Sequence, residues 1–190
     1  MAHSNLRIVG VDDGSSNRKV RKNALLLVVL FNGVRIEAVR VGKIKLDGND
    51  AAEVLQRLLR KLTYDLVLLS GISFGGFNVI DISKLSRDLH KPIIVIIGEK
   101  PNNTAVKAAL RDHFEDWKIR WKRVSSAGRL HSCKPLRNEP KLFFEIKGNT
   151  PQFARQVIIR TAIVSRLPEP IRIARLLAKG LSPFTDFINA

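Results

Sequence analysis

Residues Leu6–Gly14 read LRIVGVDDG, a short apolar strand that runs straight into two adjacent carboxylates and a glycine. The 190-residue chain carries 33 Lys and Arg against 17 Asp and Glu, a formal charge of +16. Such a chain has no electrostatic need to gather acids at the end of a buried strand. The arrangement gains a purpose if the carboxylates hold a divalent cation, and on a basic protein that points to chemistry on phosphate. The plainer reading is a strand closed by an Asp-Gly turn. Successive strand residues face opposite sides, so at most one of Asp12 and Asp13 aims at a given ion if the strand stays regular through both, with Asp12 slightly ahead of Asp13 as principal ligand; a turn beginning at Asp13 would swing both inward.

Outward from this stretch, Ala24–Phe31 (ALLLVVLF) is continuously apolar, as in a strand covered on both faces. Asn32-Gly33 is a two-residue hairpin signal, and Val34–Val41 returns with alternation, giving a three-stranded antiparallel start. A helix is expected from about Asp50 to Leu62 with Val54, Leu55, Leu58, Leu59 and Leu62 as its apolar stripe. Further expectations are a strand at Asp65–Ser70, a helix at Ile82–His90, a strand at Ile93–Ile97 and a helix from Asn102 or Asn103 to Phe114. Lys118–Val124 alternates Ile119 and Trp121 with charges and reads as an exposed edge strand. Leu142–Ile146 reads as a strand, and Pro151–Val164 and Ile171–Leu181 as helices. This order argues one α/β domain over residues 1–190, a mixed sheet with helices on both faces and residues 1–5 disordered.

Composition excludes several classes. With 45% apolar residues the chain is neither disordered nor a histone-like arm. Cys133 is the only cysteine, which rules out an intrachain disulfide and a thiolate zinc site. No apolar run is long enough to cross a bilayer and the start lacks a signal-peptide core, so a cytoplasmic protein without a membrane partner is expected. Basic residues cluster without acids at Lys118, Arg120, Lys122, Arg123, Arg129, Lys134 and Arg137, and again at Arg18, Lys19, Arg21 and Lys22. The first group, flanked by Trp117 and Trp121, is a candidate nucleic-acid surface with aromatics to stack on bases.

In an open α/β sheet, ligands collect beyond the strand ends where the strand order reverses, which would bring Asp12, Asp13, Ser70 and Gly71 to one crevice. Second carboxylates could come from Asp47 in LDGND, from Asp81 or from Glu169. Each also has a structural reading, as turn residue, helix cap and helix-dipole partner respectively. The glycine-rich segment Gly71–Phe77 lacks both the Walker A ending and the GxGxxG pattern. Its Gly75-Gly76 could bring backbone N–H groups to a phosphate or base, with Phe74 as an open base wedge and Phe77 buried.

The chain resembles the archaeal endonuclease dU family, itself similar to endonuclease V and the ribonuclease-H-like nucleases. The motifs are VDDG at Val11–Gly14, LDGND at Leu46–Asp50, LSGISFGGFNVIDI at Leu69–Ile82 and PEPIRIARLLAKG at Pro168–Gly180. The resemblance implies a ribonuclease-H-like fold and a Mg2+- or Mn2+-dependent endonuclease. Its substrate would be DNA containing deaminated bases, deoxyuridine among them, with RNA as a further substrate and a weak homodimer compatible. Endonuclease V carries an Asp-Gly after its fourth strand, where this sequence has Ser70-Gly71. Another acid, Asp47, Asp81 or Glu169, must then serve, or the activity differs. The rivals are a catalytically inactive nucleic-acid-binding protein of the same fold and a nucleotide-binding protein that uses the glycine-rich loop.

Overall fold

The computed structural model describes residues 6–14 and 22–185. The expected disorder of residues 1–5 and the basic residues Arg18, Lys19 and Arg21 lie outside them. Seven strands form one sheet in the order β3-β2-β1-β4-β7-β9-β8, where β1 is Arg7–Asp13, β2 Asn23–Asn32, β3 Arg35–Lys45, β4 Leu66–Leu69, β7 Ile93–Ile97, β8 His131–Cys133 and β9 Leu142–Lys147. β1 is antiparallel to β2 and parallel to β4, β4 is parallel to β7, and β9 closes antiparallel on β7. The antiparallel opening and the mixed sheet are as expected from the sequence. The β2–β3 turn is shifted by one residue: Asn32 pairs with Arg35, so Gly33 and Val34 make the turn, and Gly33 takes the positive φ.

Strand residues alternate between two cores. Val9, Val11, Leu26, Val28, Val67, Leu69 and Val95 pack under helices α1 (Ala51–Leu59) and α2 (Ile82–Leu89). Leu66, Leu68, Ile94 and Ile96 face α5 (Pro151–Thr161), while Leu25, Leu27 and Val29 face α6 (Glu169–Leu181). α6 begins with Pro168 at its cap, Pro170 in the first turn and Glu169 toward the dipole's positive end. It lies so close to β1 that a Cβ on Gly10 would stand 2.2 Å from the Pro170 carbonyl carbon. Only glycine permits that approach.

A small hairpin, β5 (Ser73–Phe74) and β6 (Asn78–Val79), follows β4, with Gly75 and Gly76 both at positive φ. α3 (Asn103–His113) leads to α4 (Trp117–Ser125). The sequence predicted a strand at Lys118–Val124, and the structure has a helix there. The alternation of Ile119 and Trp121 is overridden by packing of α4 on α3 and by Arg120, whose buried guanidinium needs the i,i−4 position of Asp116. No helix among the described residues is long and apolar enough to cross a membrane.

Candidate functional site

β1 stays regular through both acids, because Asp12 pairs with Leu27 and Asp13 with Leu26. Asp12 therefore shares the α6 face with Leu27, and Asp13 turns to the α1 face with Leu26. Of the two arrangements open in the sequence, the structure has the regular strand with divergent side chains. Asp12 is 4% exposed. Its Oδ1 accepts from the Asp13 N–H at 2.9 Å, and its Oδ2 from Nε of Arg175 on α6 at 2.8 Å. Arg175 also donates an Nη2 hydrogen toward Ser70 Oγ at 3.3 Å. Ser70 follows β4, and its backbone N–H donates to the Val11 carbonyl. The ends of two parallel strands and one helix thus converge on a carboxylate, a hydroxyl and a guanidinium.

On the other face, Asp13 Oδ2 accepts from the Gly75 N–H at 2.7 Å. Burial is the main force that pushes its carboxyl up to about 6. Asp12's charge adds to that rise, and the Gly75 bond works against it. Asp47, itself at positive φ, donates its N–H to the Gly75 carbonyl and accepts from the Phe77 N–H at 2.8 Å. Asp13 and Asp47 therefore grip the same hairpin turn from two sides. Asp50 is drawn into this frame as well: it stands at the N-cap of α1, but its side chain makes no cap bond and accepts instead from Lys45 N–H and Asn78 Nδ2.

The other candidate acids lie elsewhere. Asp81 caps α2, accepting from the Lys84 N–H at 2.8 Å. Glu169 is paired with Arg172, whose hydrogen bonds hold its carboxyl below the usual range. It lines an apolar pocket with Leu6, Ile8 and Pro170 beside the opposite, opening end of β1. Phe74 is fully buried, which corrects its reading as an exposed wedge; its alternation in β5 points it into the core with Ile80 and Leu55. Phe77 is half-buried, edge-on to Phe114 at 5.5 Å.

The basic segment divides in two. Arg120 is buried, bonded to Asp116 and to the Gly48 and Phe77 carbonyls, and Arg123 donates to Asn49 and the Val79 carbonyl. These two bolt α4 onto the glycine hairpin. Lys118, Lys122, Arg129, Lys134 and Arg137 are exposed.

A magnesium-type cation takes one or two carboxylates and keeps several waters. The donors at the end of β1 are of the right chemistry and too few. Asp12 and Asp13 point apart, and Asp12 already balances Arg175. Among the described residues no three His, Cys, Asp or Glu side chains come close enough to share an ion. The convergence of Asp12, Asp47 and Asp81 expected from the sequence does not occur, and the strand end as it stands does not fit a ready-made divalent centre. The residue that sequence reasoning missed is Arg175. Glycines in and just after β1 mark where α6 meets it: Gly10 lies against Pro170, and Gly14 against Ser182 and the Ala178 carbonyl.

Sheet order, antiparallel start and flanking helices define the ribonuclease-H-like fold, with the candidate site at the ends of β1 and β4. The chain belongs to the endonuclease dU family, whose sequence profile matches residues 4–182. It is 33% identical over 186 residues to a UPF0215 protein of Methanothermobacter thermautotrophicus, covering 94% of this chain and 89% of that one. Among solved structures it is similar to an Archaeoglobus fulgidus protein of unknown function, with a TM-score of 0.81, 26% identity and coverage of 97% and 99% of the two chains. It also shares its fold with Ciona intestinalis endonuclease V, solved with a 24mer DNA containing an inosine followed by a ribo-adenosine (TM-score 0.60, 16% identity, coverage 89% and 82%).

Proposed function

We propose that this protein is an endonuclease that cuts DNA containing deaminated bases, deoxyuridine among them, at the cluster of Asp12, Ser70 and Arg175. The observation that carries the reading is this cluster's place, at the carboxyl ends of two parallel strands in a ribonuclease-H-like sheet of an endonuclease dU family member. The family's name and the fold shared with an endonuclease V solved on inosine-containing DNA support the substrate class.

In this reading Asp12 and Ser70 position Arg175, whose side chain is 41% exposed, to meet a backbone phosphate. Guanidinium is suited to that task because its donors fork onto two phosphate oxygens. Asp13 and Asp47 fix the Gly75-Gly76 turn and leave Gly71 and Gly76 to approach the strand. The exposed Lys122, Arg129, Lys134 and Arg137 carry the rest of the backbone. Mg2+ or Mn2+ belongs to the proposal as cofactor; Asp12 is the carboxylate that would hold it, with water supplying the remaining positions, and the ion would polarise the phosphate.

The test uses matched oligonucleotides carrying one deoxyuridine, one deoxyinosine or no altered base, and an RNA, each with Mg2+, Mn2+ or EDTA. Cutting at deoxyuridine that EDTA abolishes is expected. A folded protein that cuts none of them overturns the enzyme reading. The presence of Ser70 and Arg175 beside Asp12, where a second acid would be needed to hold an ion, favours the second reading, a non-cleaving nucleic-acid-binding protein. Salt-dependent binding without cleavage would select it.

A further inference from the structure

The face formed by α3 and α4 takes no part in the cluster at Asp12, yet it carries both tryptophans of the chain. Trp117 and Trp121 line a groove of about 630 Å3 together with Lys107, Ala108 and Arg111, and no acid lines it. The Lys107 ammonium stands 5.5 Å from the Trp121 ring centre, and Lys118 stands 5.8 Å from that of Trp117. Asp112 pairs with Arg111 at 3.2 Å, but both side chains are more than half exposed, so the pair is weak and leaves the cation available.

We propose that this groove is a second nucleic-acid subsite, which stacks unpaired bases on Trp117 and Trp121 while Lys107, Arg111 and Lys118 hold the phosphates. The proposal rests on the reading of the protein as one that acts on nucleic acid. An indole offers a flat face that any base can stack on, and cations beside it meet the backbone that links one base to the next. An acidic peptide would satisfy the lysines but has no use for two adjacent indole faces. The groove is also rigidly tied to the strand-end site. Arg120, between the two tryptophans in sequence, donates to the Phe77 carbonyl at 2.6 Å and to that of Gly48 at 2.9 Å. Phe77 closes the hairpin turn that receives Asp13 and Asp47. A strand seated on α4 would therefore be held in fixed relation to the glycine turn.

Because the only two tryptophans line the groove, their emission reports its occupancy directly. The experiment titrates the whole protein in EDTA with a short oligothymidylate, which contains no deaminated base, while an end label gives binding by anisotropy. We expect saturable loss of tryptophan emission that follows the anisotropy, and about tenfold weaker binding for Trp121→Ala. Lys107→Ala/Arg111→Ala changes only exposed positions and should flatten the salt dependence by about two units of slope at most. Binding with unaltered emission and equal affinity in both variants overturns the subsite, as does the absence of binding. Equal loss of emission with polyglutamate overturns it in favour of an acidic polypeptide. No cleavage is involved, so loss of the endonuclease reading alone would leave this result standing.

Discussion

Helix α6 carries two arginines, three residues apart, that are used in opposite ways. Arg172 turns back on Glu169 of its own helix, with Nε at 2.9 Å from Oε1 and Nη2 at 2.7 Å from Oε2. Arg175 leaves the helix and crosses to Asp12, a residue 163 positions away in the chain, at 2.8 Å. The first pair is local and closes a helix end next to the apolar pocket at the start of β1. The second spans the helix–sheet interface and sets a guanidinium with an open face over the strand end where Ser70 also points. Two ion pairs of similar length differ in what they can do: one finishes a structural element, and the other holds a cation ready for an anion.

The comparison depends on the close approach of α6 to β1, and it is broken most severely there. Gly10→Ala would drive a Cβ into the Pro170 backbone. A loss of about 3 kcal/mol is expected, because backbone on either side cannot yield as a flexible side chain would. Thermal unfolding should show a midpoint lower by roughly 6–12 °C. An unchanged midpoint would mean that α6 is not pressed on β1 and that the Arg175–Asp12 pair has no rigid frame.

Ser70→Asp sharpens the comparison by adding a second carboxylate on the Arg175 side. Mn2+ affinity measured by calorimetry should rise about tenfold, roughly 1.4 kcal/mol. No gain would show that the strand end is not a cation position even when the acid count is restored.

The smallest effect concerns a carboxylate remote from both pairs. Burial pushes Glu145 on β9 up to about 7, with Lys147 pulling it back. A folded pKa above the unfolded value of 4.5 means that the folded state holds the proton more tightly. Its contribution to stability is present at low pH and is lost as pH rises through the window from about 4.5 to 7. Glu145→Gln should therefore stabilise by about 1 kcal/mol at pH 8, after allowance for solvent screening, and change nothing near pH 4. Equal effects at both pH values would show that the carboxyl is not held away from water.

Much of the sheet was legible from the sequence because its strands are written in local terms. The run at Ala24–Phe31 is apolar on both faces, and the parallel strands Leu66–Leu69 and Ile93–Ile97 are bounded by turn residues. Lys118–Val124 reads as a strand because its alternation is the only local signal, whereas the buried Arg120–Asp116 pair that fixes the helix depends on the distant Gly48 and Phe77 carbonyls. The site divides along the same line. Asp12 could be singled out from VDDG, and its divergence from Asp13 follows from strand period once β1 stays regular through both. Asp81 as a cap was open to local reading too. Which residue meets Asp12 is a tertiary fact, set by where α6 crosses β1, so the sequence offers Glu169 as a candidate ligand and leaves the partner Arg175 undecided.

The central claim is that the Asp12–Arg175 pair is the reactive one and the Glu169–Arg172 pair is not. The most direct measurement compares single-turnover cutting of a deoxyuridine strand by Asp12→Asn and Glu169→Gln, with unfolding midpoints recorded alongside. The account predicts that Asp12→Asn lowers the cutting rate by about a hundredfold or more at a temperature where it is still folded, together with a lower midpoint because a buried ion pair is broken, whereas Glu169→Gln keeps the rate within about threefold and lowers the midpoint by a few degrees, an energy of about 1 kcal/mol. Wild-type cutting by Asp12→Asn, or loss of cutting confined to Glu169→Gln, would contradict it.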